Sequence, residues 1–346
     1  MLSTETPVLG LESICPACRS QTAVIYDSLP AFRKGLPDYT VYECPNCGMQ
    51  YVEPRTELHG VYDEIYAHAN RMPGYDRYAM YAKHVKRCKD PAGFLASIEP
   101  AYWAIFQALH RHQIDLIKPV LEVGSGLGYL TFAINKLEIS CIGVDVSLKS
   151  VNQARSDFGD YFGVAHLSDL ETGGYSAVVL SEVIEHVSSP VEFLQDVARL
   201  LTHGGIIVIT TPNRDAHSST SIWQTDLPPV HFSWFTISAL KQLAKASNLR
   251  YESVDLAEYD RKWPSRIKQT LDNGAPTQSA LDELGLPHVT CRDLRIMRAR
   301  RIANDVGVFY PLVLAGKRIR AYMGRQRGSA SSFSTRRQAA AVFIKD

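Results

Sequence analysis

Between Pro119 and Thr210, short unbroken apolar runs alternate with stretches of helical period. The runs are Val120–Val123, Cys141–Val144, Val164–Leu167, Ala177–Leu180 and Ile206–Thr210. The helical stretches are Tyr129–Leu137, Leu148–Asp157, with Ser147 placed to cap it, and Pro190–Leu201, followed by a Gly204-Gly205 turn. A strand that is apolar on successive residues is covered on both faces, and strands separated by helices run parallel. The pattern therefore predicts an α/β chain with a doubly wound sheet, and ligands on such sheets bind at the carboxyl ends of the strands. Arg250–Asp255 reads as a sixth strand and Ala339–Ile344 as the last.

The first strand runs into Glu122-Val-Gly124-Ser125-Gly126-Leu-Gly128. Glycine there permits a tight turn and lets a ligand approach the backbone closely. Asp145 ends the second strand, 21 residues after Gly124. A carboxylate at that place can accept both hydroxyls of a ribose. A nicotinamide-binding domain would share the acid, so the spacing G-x-G-x-G, not G-x-G-x-x-G, has to discriminate.

Ahead of this unit stand Cys15-Pro-Ala-Cys18 and Cys44-Pro-Asn-Cys47-Gly48. Two such hooks present four thiolates, a set suited to Zn²⁺ in a closed structural site. Ala23–Tyr26 and Tyr39–Tyr42 are strand-like and could form a hairpin between the hooks. Cys88, Cys141 and Cys291 lack such partners. Hydrophobic residues make up 45% of the 346 and charged residues 21%, which fits a globular chain, and the formal charge of +1 speaks against bulk binding to polyanions. No apolar stretch is long enough to span a bilayer and the start lacks a signal-peptide pattern, so a cytoplasmic location is expected.

Taken in order, four motifs resemble those of class I S-adenosylmethionine-dependent methyltransferases of the type 11/23 kind. They are Glu122 to Gly128, Gly143-Val-Asp145-Val146-Ser147, Ser181-Glu182-Val-Ile-Glu185-His186-Val, and His203-Gly-Gly205 through Thr-Pro-Asn213. The resemblance covers about Leu116 to Asn213. It implies a Rossmann-like seven-stranded sheet with its last strand antiparallel. It further implies that Gly124, Ser125, Gly126 and Gly128 lie under the methionine part of the cofactor, that Glu122 stands near its amino group, that Asp145 holds the ribose, and that Val146 and Asp169 contact adenine. The cysteine hooks followed by Tyr62-Asp-Glu-Ile-Tyr66 resemble a bacterial subgroup with a zinc-ribbon head, whose members are often associated with sugar, cell-surface or secondary-metabolite pathways.

Two stretches carry candidate chemistry. Glu182, Glu185 and His186 would share one face if their segment is helical, and could bind a divalent metal. The similar ubiquinone-pathway O-methyltransferases have matching positions linked to a metal, whereas many relatives work without one; the bland reading has the acids orienting the cofactor or the sheet end. Asp226-Leu-Pro-Pro-Val-His231-Phe-Ser-Trp234-Phe-Thr236 has a stiff diproline that fixes where His231 points, and Thr236 is placed to cap the helix Ile237–Ser247. By the resemblance this loop borders the acceptor pocket. His231, and second His186, are the candidate general bases, against the reading of a structural histidine tying down a loop.

These readings divide the chain into a zinc ribbon (1–55), a helical lid or linker (56–115) with five tyrosines at Tyr62, Tyr66, Tyr75, Tyr78 and Tyr81, a methyltransferase core (116–260), a basic helical insertion (261–337) and the last core strand (338–346). The tyrosines fit either packing or a lid. Arg292–Arg327 holds ten basic and two acidic residues around an apolar run, and Gly328–Thr335 reads as a flexible link. Such a segment fits an amphipathic cap, contact with a membrane surface or a lipid-linked acceptor, or a grip on RNA. The expected function is methylation of a small molecule or glycan, free or carried on a nucleotide or lipid. The rivals are an RNA methyltransferase, which the near-neutral charge disfavours, a non-catalytic cofactor-binding scaffold, and a nicotinamide dehydrogenase.

Overall fold

The computed structural model describes residues 13–56, 65, 71–72, 74–217, 220–264, 274–326 and 338–346. Tyr62, Tyr66 and the Gly328–Thr335 link lie outside them.

The central sheet has the expected seven strands. Five pair side by side in parallel: β4 (Val120–Val123), β5 (Cys141–Asp145), β6 (Phe162–Val164), β7 (Tyr175–Ser181) and β8 (Leu201–Pro212). With β10 (Arg250–Ser253) and β11 (Gln338–Ile344) the spatial order is β10-β11-β8-β7-β4-β5-β6. The last strand, β11, runs antiparallel to both of its neighbours. Alternation along the strands sorts the core onto two faces. Val178, Leu180, Ile207 and Ile209 pack under helices α6 (Pro190–Leu200) and α7 (Ile237–Ala246). Ala177, Val179, Ile206 and Val208 face α2 (Pro91–Ile98), α3 (Pro100–Arg111), α4 (Tyr129–Asn135) and α5 (Leu148–Phe158), with α1 (Asp76–Val85) beyond. The predicted caps form: Ser147 accepts from the Ser150 amide at 3.2 Å and Thr236 from the Ala239 amide at 2.9 Å.

Two expectations need correction. The third strand is not Val164–Leu167 but β6, and Leu167–Asp169 is a 3-10 turn. The apolar residues there misled: Leu167 leaves the sheet to pack in the core under α6, and the Asp169 carboxylate closes the turn on the His166 amide at 3.1 Å. Glu182, Glu185 and His186 do not share a helical face either. Glu182 is left-handed at φ +55°, and only Ile184–His186 makes a 3-10 turn.

The N-terminal hairpin forms, as β1 (Ala23–Leu29) and β2 (Tyr39–Glu43), and is joined by β3 (Gln50–Glu53). The fourth strand of this small sheet comes from far along the chain: β9 (Ser233–Trp234) pairs with β3. Cys15, Cys44, Cys47, Met49 and Tyr51 belong to the same buried cluster as the main sheet and α7. The basic segment folds as α9 (Cys291–Asp305) and α10 (Phe309–Gln326) after a short α8 (Ala257–Lys262). Its inner side is anchored: Tyr310 packs against Tyr81 and Phe94, and Lys317 is buried.

Candidate active site

A cavity of about 530 Å³ opens at the carboxyl ends of β4 and β7. One wall is the glycine loop. Gly124, Gly126 and Gly128 all have positive φ, at +72°, +50° and +77°. That lets the amides of Gly124 and Ser125 both turn onto the Val144 carbonyl, at 2.9 and 3.0 Å. A Cβ on Gly124 would lie 2.9 Å from Val183, and one on Gly128 would lie 2.6 Å from Phe162 and 2.7 Å from Ala154. The loop therefore needs glycine both for its turn and for its packing. Asp145 pins it from the next strand, one carboxylate oxygen accepting from Gly126 N at 2.9 Å and the other from Ser147 N at 2.8 Å. The buried hydroxyl of Ser125 meets no protein partner, which fits a polar ligand seated on the loop.

Glu122 lines the cavity floor, is 4% exposed, and accepts from the Thr131 hydroxyl. Burial pushes its carboxyl up to about 8. Glu182, at the end of β7, accepts from Gln338 Nε2 at 2.6 Å and is raised to about 7, chiefly by burial. Behind it Glu185 is almost fully enclosed. One of its oxygens accepts from Thr211 at 2.9 Å and the other has no partner.

His231 arrives from the opposite wall. Its ring meets that of His186 edge-on, with centroids 4.7 Å apart, and its Nδ1 is 3.9 Å from Asp226. Burial lowers the basicity of both imidazoles to about 3, so both are neutral at physiological pH. Asp226 is raised to about 6, again mainly by burial. The two rings differ in freedom. His186 lies between backbone carbonyls, with Nδ1 2.5 Å from Val230 O and Glu182 on its other side, whereas Nδ1 of His231 has no hydrogen-bond partner.

The structure thus brings Glu122, Gly124, Ser125, Gly126, Glu182, Glu185, His186 and His231 around one cavity. Gly128, Asp145, Val146 and Asp169 do not line it. Gly128 starts α4, Asp145 braces the loop from behind, Val146 is 63% exposed beside it, and Asp169 is spent on its own turn. Sequence reasoning missed several lining residues: Arg77, Glu99, Tyr102, Tyr129 and Lys317. Tyr75 and Tyr78 of the flagged tyrosine stretch line it too, and Arg77 stacks on Tyr78 with its guanidinium 4.6 Å from the ring centre. A lone arginine among tyrosines was the available signal.

Two groups of side chains have metal-ligand geometry among the described residues. The Sγ atoms of Cys15, Cys18, Cys44 and Cys47 all lie within 4.8 Å of one another, with Cys15–Cys47 at 3.6 Å and Cys18–Cys44 at 3.4 Å. A tetrahedral site with bonds of about 2.3 Å sets sulfurs about 3.8 Å apart, so the four cysteines fit zinc with small adjustment. The contact between Cys15 and Cys47 lowers the first thiol and raises the second, as two sulfurs sharing one proton do. The second group is Glu185, His186 and His231, in which His231 stands where Glu182 was expected. The carbonyls flanking His186 argue against its serving as a ligand.

Residues 76–254 match the family model described as a methyltransferase domain. The chain belongs to that family. Curated relatives include the ubiquinone biosynthesis O-methyltransferase of Methylococcus capsulatus, 25% identical over 142 residues, which are 39% of this chain and 60% of that one. The enzyme of the same name from Caulobacter vibrioides is 36% identical over 103 residues, 28% of this chain and 41% of its own. A probable S-adenosylmethionine-dependent methyltransferase of Mycolicibacterium smegmatis is 27% identical over 177 residues, 48% of this chain and 68% of its own. The matched segment thus spans about half the length of the ubiquinone-pathway relatives. Among solved structures, the YcgJ protein of Bacillus subtilis aligns with 70% of this chain and 98% of its own, at 14% identity and a TM-score of 0.43.

Proposed function

We propose that this protein is an S-adenosylmethionine-dependent methyltransferase whose acceptor is a small molecule or sugar seated beside His231. The observation that carries the reading is that the glycine loop and the His231 loop line one cavity. When bound, S-adenosylmethionine supplies a methyl group made electrophilic by its sulfonium.

The chain's residues then divide the work. Asp145 is oriented by two backbone amides and offers its carboxylate to the ribose, with Val146 as an apolar platform for adenine. Asp169, held in its own turn, is left to a peripheral role in that contact. The backbone of Gly124, Ser125 and Gly126, with both glycines at positive φ, admits the methionine part, and Gly128 shapes the loop. Glu122, and across the cavity Glu182, give up their protons to hold an ammonium group. On the acceptor side His231 takes the acceptor's proton onto its ring, because it lines the cavity and is neutral. His186, held by Val230, braces His231 edge-on. We assign Zn²⁺ to Cys15, Cys18, Cys44 and Cys47 as a structural ion, since four thiolates leave no open position for chemistry.

The outer face of α10 favours a lipid-borne variant of the same reading. Leu312, Ile319, Tyr322 and Met323 are 47–69% exposed there, beside Arg318, while Tyr310, Lys317 and Ala321 face inward. Exposed aliphatic side chains beside arginine suit an anionic membrane surface, whereas a grip on RNA would pair basic residues with aromatic stacking platforms, of which this face offers Tyr322 alone. None of the described helices is long and apolar enough to cross a membrane.

The test is to incubate purified protein with methyl-labelled S-adenosylmethionine and fractionated cell extract. Label in water-soluble small molecules or organic-extractable lipid supports the reading, and label in RNA overturns the acceptor class. Binding of cofactor with no label anywhere points to a scaffold.

A further inference from the structure

The loop that carries His231 has little regular structure of its own; between Asp226 and Thr236 only the two-residue β9 is regular. It is nevertheless buried from Leu227 to Thr236. Its hydrogen bonds, three through the backbone and one through a side chain, lead to the cysteine-bearing sheet at four successive places. Phe32 N, between β1 and β2, donates to Pro228 O at 2.6 Å. Val52 N, on β3, donates to Phe232 O at 3.0 Å. Gln50 and Tyr51 pair with Trp234 and Ser233. The Thr236 hydroxyl donates to the Cys47 carbonyl at 2.5 Å, inside the second cysteine hook, while accepting from Ala239 N. Gly48, the residue after that hook, has φ +70°, and a Cβ on it would lie 3.0 Å from the Thr236 methyl. On the loop's other side Phe232 N donates to Glu185 O at 2.8 Å. His231 is thus fixed two residues before β9, which is sandwiched between the ribbon and the Glu185 turn.

By its own hydrogen bonds the glycine loop is held to the main sheet instead. Its amides are held by Val144 and Asp145, both on β5. The two halves of the cavity therefore have separate supports.

We infer that the four-cysteine centre is the mould of the acceptor half of the active site, with Thr236 as the positioning residue that transmits its shape to His231. Holding the second hook folded fixes the Cys47 carbonyl and β3. These fix Thr236, β9 and Phe232, and those fix His231. Emptying the cysteine centre or cutting the Thr236 link loosens residues 228–236 while leaving the cofactor loop in place. The inference rests on the methyltransferase reading only in calling that half the acceptor side.

The experiment is hydrogen–deuterium exchange on the full chain, loaded with zinc and then stripped by a chelator, alongside Thr236→Val and Thr236→Ser. Stripping should expose the amides of 228–236 and leave those of 120–128 protected, with the affinity for S-adenosylhomocysteine unchanged. Thr236→Val removes two hydrogen bonds, the one to the Cys47 carbonyl and the one from Ala239 N, worth about 1 kcal/mol each, so local opening should rise about thirtyfold. Thr236→Ser keeps the hydroxyl and should restore protection. Ring NMR supplies a second readout: His231 should stay neutral at pH 6 in the loaded protein and titrate near 6.5 once the loop is loose. The inference is overturned if 228–236 stay protected in the stripped protein, if Thr236→Val and Thr236→Ser behave alike, or if the cofactor loop loosens together with the His231 loop. None of these readouts needs an acceptor, so failure to find methyl transfer would leave them standing and would count against the proposed function alone.

Discussion

Gly128→Ala should damage the fold more than any other single-methyl change in the glycine loop. The residue has φ +77°, a conformation costing a residue with a Cβ about 1–2 kcal/mol. The added methyl would meet Phe162 at 2.6 Å and the Ala154 methyl at 2.7 Å. The phenyl ring can shift. The Ala154 methyl cannot, because it is fixed to the buried side of α5, so an overpacking cost of about 1–3 kcal/mol adds to the strain. The total is about 2–5 kcal/mol. At about 2 °C per kcal/mol for a chain of this size, melting should fall by about 4–10 °C. Gly163→Ala is the matched control, since a Cβ there meets nothing within 4 Å. The assay is differential scanning calorimetry on both variants without ligand. A Gly128→Ala protein that melts within a degree or so of wild type would refute the claim that loop packing, and not only ligand approach, requires glycine at 128.

Three further outcomes follow from the same geometry. Asp145→Ala removes the carboxylate assigned to the ribose; two charge-assisted hydrogen bonds are worth about 3 kcal/mol or more, so calorimetric titration should show S-adenosylhomocysteine binding weakened by about a hundredfold or more. Glu122 keeps its proton in the fold up to about 8, whereas an unfolded chain releases it near 4.5. Its contribution to stability is complete below 4.5 and lost as pH rises through 8, and Glu122→Gln should flatten that part of a melting-versus-pH curve. Lys317→Met strands the carbonyls of Ser97 and Ile98 and the Tyr259 hydroxyl, each 2.8–2.9 Å from the ammonium, and should cost about 1–3 kcal/mol in urea unfolding.

The sheet was legible because its central strands are nearly continuous apolar runs, and the only core strand mistaken was at the edge, where three residues of β6 carry too short a signal. The glycine loop and Asp145 were legible for a related reason: their conformations demand particular residue types in a fixed order. The cysteine hooks announced themselves by spacing. What stayed hidden depends on contacts distant in sequence. Nothing local says that Ser233 and Trp234 complete the sheet of Gln50 and Tyr51, because a two-residue strand has no period. Lys317 reads as one more cation in a basic stretch, and only the fold turns it inward among Ser97, Ile98 and Tyr259. The Glu182–His186 segment misled because three- and four-residue spacings suggest a helix, while the left-handed Glu182 breaks it.

The account rests most heavily on one cavity joining the cofactor loop to His231 as a methyl-transfer site. The direct test is the initial rate of label transfer from S-adenosylmethionine into the fractionated extract by wild type and by His231→Gln, with S-adenosylhomocysteine affinity measured on both. The account predicts that the variant binds S-adenosylhomocysteine as wild type does and loses most of the transfer. Undiminished transfer by His231→Gln would contradict it.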